Sequence, residues 1–596
     1  MLWQKIRRKI RSGEWKEIWK EVCWIFRYIV KYRNAVIFYI LIGVASTLIG
    51  LAGSVTSKYA IDAVTQFDFR LLVMSVALFA VTGFGSIFLD GFMNRMLTKI
   101  SLRINKEILE DVYYKILDTR WEAMSRYHSG DLLNRLNSDV SAVSGSVLSW
   151  VPSLIIRTVH FLGSLIIILY YDPVMGVLAL GSAPVTVLFS RVLLYRMRDF
   201  NKKMRQASSD LMGFTSESFQ NIQSIKSFHL TDLFRNRLDR VQGSYIENAL
   251  EYNEFSVKTS IVMSSLSLVI SFLCMGWGVY RLWTGYITYG TMTMFLQLSR
   301  TLASDFSTLV KMVPSAISAT TSAGRIMEVT DLPKDDHEDE AVVRRLEEEA
   351  DRGLGITLDN IFFSYSSDKD MESVDDERVL EGCSLQAAPG EIVALIGRSG
   401  CGKTTLLRII LGLIRQEAGT AEIWSGSGVR ASLGAGSRHL ISYVPQGNTL
   451  FSGTIEDNLK MIAPDADREE MEEALKIACA WDFVQKLPGK MQCLIGEKGT
   501  GLSEGQAQRI SIARAVLKKA PIILFDEATS ALDEETGEKI LENIKTTMKN
   551  CTCVMVSHRP TSLKICSKVY RLENCRLTEE KASHTTALYS ASDVSR

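Results

Sequence analysis

An excess of charge of either sign is missing from this 596-residue chain: 68 Lys and Arg stand against 67 Asp and Glu. That balance alone says nothing for or against nucleic acid. Apolar residues make up 47% and charged residues 23%, which excludes a disordered or collagen-like chain. Cysteine is sparse, ten in all, so a small disulfide scaffold is excluded as well. The eight cysteines from Cys383 to Cys575 lack paired metal-ligand spacing, and the Cys551-x-Cys553 pair has no second pair or His pair at zinc distance. That half of the chain reads as cytosolic and reduced. A mean hydropathy of +0.08 averages two unlike parts. Residues 34–310 hold the long apolar runs, whereas residues 332–596 hold short apolar runs between Gly-containing turns and acidic clusters, as in a soluble α/β domain.

A membrane-crossing helix needs about 20 apolar residues. Residues 35–55 form such a run without a charge, and further runs fall at about 71–92, 146–171, 173–195, 259–281 and 287–310. In the last of these, Ile287 to Leu298 is too short alone and needs residues beyond Arg300. Lys and Arg gather before the first run, in residues 93–145 and in residues 191–258, while the other connections are short and poor in charge. Basic loops stay in the cytosol, so six spans place both termini there, and no cleavable signal is expected before them. The two long basic segments repeat an apolar face, as in Ile108, Val112 and Ile116, and should extend the spans as helix below the bilayer. Within residues 1–33, Trp15, Trp19, Val22, Phe26, Ile29 and Val30 recur at helical spacing, the pattern of an interfacial amphipathic helix.

The soluble half carries Gly397-Arg398-Ser399-Gly400-Cys401-Gly402-Lys403-Thr404-Thr405 between an apolar strand and a helical run. Glycines let backbone N–H groups surround phosphate oxygens at a helix N-terminus. Lys403 can reach the β- and γ-phosphates, and Thr404 can hold Mg²⁺. Farther on, the apolar strand Pro521 to Phe525 ends in Asp526-Glu527, an acidic pair where Mg²⁺ and a water-activating base are expected.

Tyr365, this P-loop, Gln446, Leu502-Ser503-Glu504-Gly505-Gln506, Asp526-Glu527, Ser530-Ala531-Leu532-Asp533 and His558 together resemble the nucleotide-binding domain of an ATP-binding cassette (ABC) transporter, over residues 356–576. Singly, Tyr365 would read as a core or edge aromatic, Gln446 as a surface turn residue and His558 as a cap; their joint order removes that reading. Six preceding spans, with the run from Tyr127 to Leu136 near the first intracellular loop, resemble the half-transporter exporter type. The resemblance implies an all-α six-helix transmembrane domain (residues 34–328), an acidic linker (329–355), an α/β cassette and a polar tail (577–596). It also implies roles. Tyr365 would stack on adenine, the P-loop residues would bind ATP, and Thr404, Gln446 and Asp526 would hold Mg²⁺. Glu527 would polarise the attacking water, with His558 at the γ-phosphate. Ser503, Gly505, Gln506 and Asp533 would serve nucleotide at the cassette interface, the signature residues Ser503 and Gly505 facing ATP on an opposite cassette.

One cassette per chain implies a dimer. A second copy is favoured over a related half-transporter, because no residue needed in cis is missing. Glu504 departs from the family's usual glycine in the signature. The expected protein is therefore an exporter in the plasma membrane of a bacterium, moving an amphipathic drug, lipid or peptide by alternating access, with no nucleic-acid partner. An ATP-gated channel is the alternative class, disfavoured because Glu527 and His558 are intact. Asp90, Arg157, His160, Gln297 and Arg300, ionisable or polar within spans, are candidate cavity residues. Only 34 residues precede the first span, too few for a leader-cleaving peptidase domain. The acidic stretch Asp331 to Asp351 reads as a solvated linker, and Ser366 to Glu377 as a charged inserted loop.

Overall fold

The structure, a computed structural model, describes residues 14–127, 129–177, 200, 203–204, 206–336, 340–365, 378–447, 449–496, 499, 501–557 and 559–580. The chain divides into a helical unit (residues 1–115 and 128–331) and an α/β unit (residues 116–127 and 332–596).

The helical unit is built on Glu14–Lys31, Arg33–Gln66, Phe69–Leu117, Val140–Tyr171, Thr231–Trp283 and Tyr289–Thr330. Helices of 49 and 53 residues run about 74 and 80 Å at roughly 1.5 Å per residue, far beyond a hydrocarbon core of about 30 Å. The basic segments thus continue the apolar ones as helix. Among the described residues, Arg33–Gln66, Phe69–Leu117 and Ser129–Tyr171 are long and apolar enough to cross a membrane. The fifth and sixth expected runs fall within Thr231–Trp283 and Tyr289–Thr330, and the latter continues unbroken past Arg300. Of the fourth, only residues up to Val177 are described. Large apolar side chains such as Phe79, Phe84, Ile87 and Phe88 stay exposed on Phe69–Leu117, as a lipid-facing surface requires. Helices approach closely where side chains are small: a Cβ on Gly163 would lie 2.5 Å from Leu51 Cδ1.

The N-terminal helix, expected as an interfacial amphipathic helix, packs against other helices of its unit. Ile25, Tyr28 and Ile29 are buried. Tyr28 donates to Asp111 Oδ2 (2.6 Å) and Tyr32 to Glu107 Oε2 (2.8 Å), so helix Glu14–Lys31 is pinned to its own bundle.

Among its described residues the α/β unit has twelve strands: β1 (Leu354–Ser364), β2 (Arg378–Ala387), β3 (Ile392–Ile396), β4 (Ala418–Ser425), β5 (Arg430–Ser432), β6 (Ile441–Val444), β7 (Gly453–Thr454), β8 (Leu494–Ile495), β9 (Ile522–Asp526), β10 (Thr552–Val556), β11 (Lys568–Glu573) and β12 (Arg576–Glu580). A six-stranded sheet runs β12-β11-β3-β10-β9-β6, parallel except for the β11–β12 hairpin, and a four-stranded antiparallel sheet runs β2-β1-β4-β5. Every residue of β3, β9 and β10 is buried, because both faces of the parallel sheet are covered. One apolar core lies between the two sheets, and a second joins the other face of the parallel sheet to helices such as Arg468–Ile477 and Glu504–Leu517.

Two expected boundaries shift. Residues 577–580, expected in the tail, complete β12. The stretch expected as solvated linker is tied down: helix Glu340–Glu348 buries Val343 and Leu346 in the α/β core, and Asp335 and Asp336 pair with Arg438 (2.9 Å) and Arg415 (3.5 Å). Its charge density signals solvent on one face only. Apolar residues three apart supply the other. Residues 366–377 and 581–596 lie outside the described residues.

Candidate functional site

Strand β3 ends at Ile396 in the interior of the parallel sheet, and the glycine loop turns directly into helix Lys403–Ile410. Gly397 has to be glycine: a Cβ there would stand 2.4 Å from the Leu572 carbonyl oxygen. Arg398, Ser399, Gly400, Cys401 and Gly402 complete the turn, with the Cys401 N–H donating to the Arg398 carbonyl (3.3 Å). Lys403 is buried and its Nζ donates to the Gly397 and Arg398 carbonyls, both at 2.8 Å. The ammonium is thereby held inside the loop, at the N-terminus of a helix whose free N–H groups favour anions.

Two acidic residues stand at the end of β9. Asp526 is buried; its carboxylate accepts from Thr404 Oγ1 (3.3 Å) and from the Tyr443 hydroxyl (3.2 Å). Burial pushes the Asp526 pKa above the usual carboxylate range, although both hydroxyls oppose the shift. Glu527 sits at φ +51°, a left-handed conformation that a non-glycine residue holds only when its surroundings enforce it. Here they do. Ser530 N–H and Gln508 Nε2 donate to its carbonyl (3.0 and 3.4 Å), Gln508 Oε1 accepts from Ala531 N–H (3.2 Å), and Gln446 Nε2 donates to the Glu527 carboxylate (2.8 Å). Thr404, Gln446 and Asp526 offer hard oxygen donors, the set that suits Mg²⁺. Among the described residues no group of three or more His, Cys, Asp and Glu has the arrangement of another metal site. Cys551, just before β10, and Cys553 within it are both buried, and burial pushes the Cys551 thiol up to about 12 and raises Cys553 too, so neither supplies a thiolate.

A raised carboxyl pKa means the folded protein holds that proton more tightly than the unfolded chain. The ionised Asp526 therefore costs stability at neutral pH, and the cost shrinks as pH falls from the raised value to the ordinary carboxylate range, below which it is gone. Asp526→Asn is expected to raise the unfolding temperature of the purified chain at pH 7 by a few degrees, while Mg²⁺-dependent ATP turnover falls at least about tenfold. Differential scanning fluorimetry beside a turnover assay reads both, and a lowered unfolding temperature would contradict the argument.

The remaining expected residues divide. Tyr365 meets Phe363 edge-on at 4.8 Å; its hydroxyl lies 3.3 Å from Thr405 Oγ1 and accepts from Arg408 Nη1 (3.2 Å). Ser503 caps helix Glu504–Leu517 in a capping box with Gln506, which sets Glu504 and Gly505 in its first turn. Asp533 caps helix Glu534–Thr547 by accepting from the Thr536 N–H (2.9 Å), a bond that holds its carboxyl below the usual range. Among the described residues, none of the hydrogen bonds of Ser503, Gln506 or Asp533 reaches the P-loop. His558 lies outside the described residues. Val556, two positions earlier, is in register with Asp526 on one side and Leu395 on the other.

A buried strand–glycine-loop–helix with an acidic pair on a nearby parallel strand has the geometry that suits a phosphate group, and two family models match the chain around it. The model of the ABC transporter transmembrane region covers residues 36–305, and the ABC transporter model covers residues 380–530. The chain belongs to the ABC transporter family. It is an ATP-hydrolysing transporter of the half-transporter kind, a helical membrane region and one cassette in one chain. It is 26% identical over 571 residues to the putative multidrug export ATP-binding/permease protein YgaD of Bacillus subtilis, covering 93% of this chain and 94% of that one. A Staphylococcus aureus protein of the same description is 27% identical over 562 residues (93% and 95%). In fold, the transporter resembles a bacterial Atm1-family ABC exporter solved with ATP bound, with a TM-score of 0.77 at 21% identity over 96% of this chain and 98% of that one.

In the transporter's helical unit, Arg157 and His160 share one buried partner, Asp305: Arg157 Nη1 lies 3.0 Å from Oδ1, and His160 Nδ1 meets Oδ2. Asp90 accepts from Ser46 (2.9 Å), whereas Gln297 and Arg300 are exposed. Sequence reasoning missed Asp305, Tyr443, Gln508 and Arg408. Only Asp305 carried a signal, as an acid within the last apolar run.

Proposed function

We propose that the chain is an ATP-driven exporter of amphipathic substrates in a bacterial plasma membrane, working by alternating access as a dimer whose two cassettes share nucleotide. The observation that carries the hydrolytic reading is the convergence of Thr404 on Asp526 (3.3 Å) and of Gln446 on Glu527 (2.8 Å) beside the P-loop. Tyr365 stacks on the base, Lys403 meets the β- and γ-phosphates, and Thr404, Gln446 and Asp526 hold Mg²⁺, which offsets phosphate charge. Glu527 takes the proton of the attacking water, and His558 orients the γ-phosphate. The caps formed by Ser503, Gln506 and Asp533 leave helix N-termini and Gly505 presentable to nucleotide on a partner cassette. Multidrug export in the names of the relatives supports an amphipathic cargo, as do the polar groups Asp90, Arg157 and His160 within apolar helices.

The test is export itself. Inside-out vesicles carrying the chain should accumulate amphipathic dyes only with hydrolysable ATP, and proteoliposome ATPase should rise with cargo. Accumulation with a non-hydrolysable analogue would favour a channel. Glu504 adds a carboxylate at the helix N-terminus that would face a partner's phosphate, yet acidic residues also suit that helix end. The chain expressed and purified alone should hydrolyse ATP; an inactive, stable preparation would favour pairing with a related half-transporter.

A further inference from the structure

Helix Lys403–Ile410 begins at the phosphate loop, and farther along it Arg408 makes two contacts at once. Its Nη1 donates to the Tyr365 hydroxyl (3.2 Å), and its guanidinium lies 4.7 Å from the centre of the Trp121 ring. The second contact joins the cassette to the loop between the second and third expected spans, because residues 116–127 pack in the α/β unit. That loop is firmly held. Arg120 N–H donates to the Pro333 carbonyl (3.0 Å) and its Nε to the Lys334 carbonyl (3.0 Å), Asp335 N–H donates to the Asp118 carbonyl (2.9 Å), and Arg120 pairs with Asp336 (3.6 Å). Asp335 and Asp336 are in turn bonded to Arg438 and Arg415 of the cassette. Trp121 therefore stands on a frame that fixes its indole, at the start of the short helix Trp121–Met124 and just after the end of helix Phe69–Leu117.

We propose that Arg408 is a positioning residue linking Tyr365 to Trp121, so that binding of the nucleotide's base, as distinct from its phosphates, is sensed by the loop that continues into the membrane helices. This rests on the reading of Tyr365 as the base-stacking residue. A guanidinium suits this double contact, since its edge donates to the tyrosine hydroxyl while its face covers the indole, two uses that an ammonium does not combine. Base stacking fixes the Tyr365 ring, hence the direction of its hydroxyl, hence the plane of Arg408 over Trp121. Linkage is reciprocal, so removing Trp121 must change affinity for the base by the same factor that base binding changes the Trp121 contact.

The experiment is calorimetric titration of the full chain in lipid nanodiscs with a non-hydrolysable ATP analogue and, separately, with inorganic tripolyphosphate, which has the phosphates and no base. Trp121→Ala and Arg408→Ala should each weaken the analogue roughly two- to tenfold and leave tripolyphosphate affinity unchanged. The double variant should be no weaker than either single one. Trp121→Phe should restore the analogue's affinity, and Arg408→Lys should not. Equal weakening of both ligands, unchanged affinity for both, or additive losses in the double variant would overturn the link. Tyr365→Ala separates the two readings: if it leaves the ratio of analogue to tripolyphosphate affinity as in wild type, base stacking itself fails; if it lowers that ratio while Trp121→Ala does not, only the link fails.

Discussion

Glu527→Gln is expected to lower ATP turnover by about two to four orders of magnitude while ATP still binds and a closed dimer accumulates. The substitution keeps the shape and most of the hydrogen bonding of a residue whose backbone is unusually constrained. Glu527 sits at φ +51°, with its carbonyl taken by Ser530 N–H and Gln508. Those bonds involve main chain or neighbouring side chains and survive the change. What disappears is the carboxylate that Gln446 Nε2 orients at 2.8 Å, and with it the proton acceptor. The neighbouring Asp526, bonded to Thr404 and Tyr443, takes no part in that loss, so Mg²⁺ and nucleotide binding should persist. Single-turnover kinetics with size-exclusion chromatography of the ATP-loaded variant reads both halves of the expectation. Wild-type turnover would remove Glu527 from the role of base. Loss of ATP binding together with turnover would instead make it a structural residue.

The cassette was legible in the sequence because its chemistry is carried by short, ordered motifs whose spacing is dictated by one strand–loop–helix turn and one strand end. The P-loop and the Asp526-Glu527 pair lie where the apolar runs place them. The residues that orient them were not legible. Tyr443 reaches Asp526 from β6, the edge strand beside β9, and Gln508 reaches the Glu527 carbonyl from a helix that begins at the signature. Such contacts depend on how separate elements stack, which no local pattern encodes. The acidic linker misled for a related reason: Asp335 and Asp336 find arginines only after the fold brings Arg438 and Arg415 to them. In the helical unit, period and charge marked the helices, while the partner shared by Arg157 and His160 came from a helix that starts more than a hundred residues later.

That partner supplies the second large effect. Asp305→Ala is expected to lower the unfolding temperature of the detergent-solubilised chain by several degrees and to reduce the yield of monodisperse protein, because it leaves the Arg157 guanidinium and the His160 ring without the buried carboxylate that both contact. The Asp305 side chain is 1% exposed, against 48% for Arg157 and 20% for His160, so the carboxylate is the member fully removed from solvent. Breaking a buried pair by removing one partner typically costs about 3–5 kcal/mol, whereas replacing the whole group by apolar residues of similar volume is often neutral. Within membranes the measured worth of such contacts is smaller, averaging roughly 0.6 kcal/mol for interhelical hydrogen bonds, so the recovery of the combined variant decides more than the single loss. Asp305→Leu combined with Arg157→Leu and His160→Leu should regain most of the lost thermal stability, and failure to do so would mean that these residues do not act as one electrostatic group. The stable combined variant then separates packing from transport. If its ATPase is still stimulated by amphipathic cargo, the cluster serves to hold two helices together; if basal turnover persists and stimulation is lost, an ionic group kept inside an apolar bundle at an energetic cost is retained for what it binds.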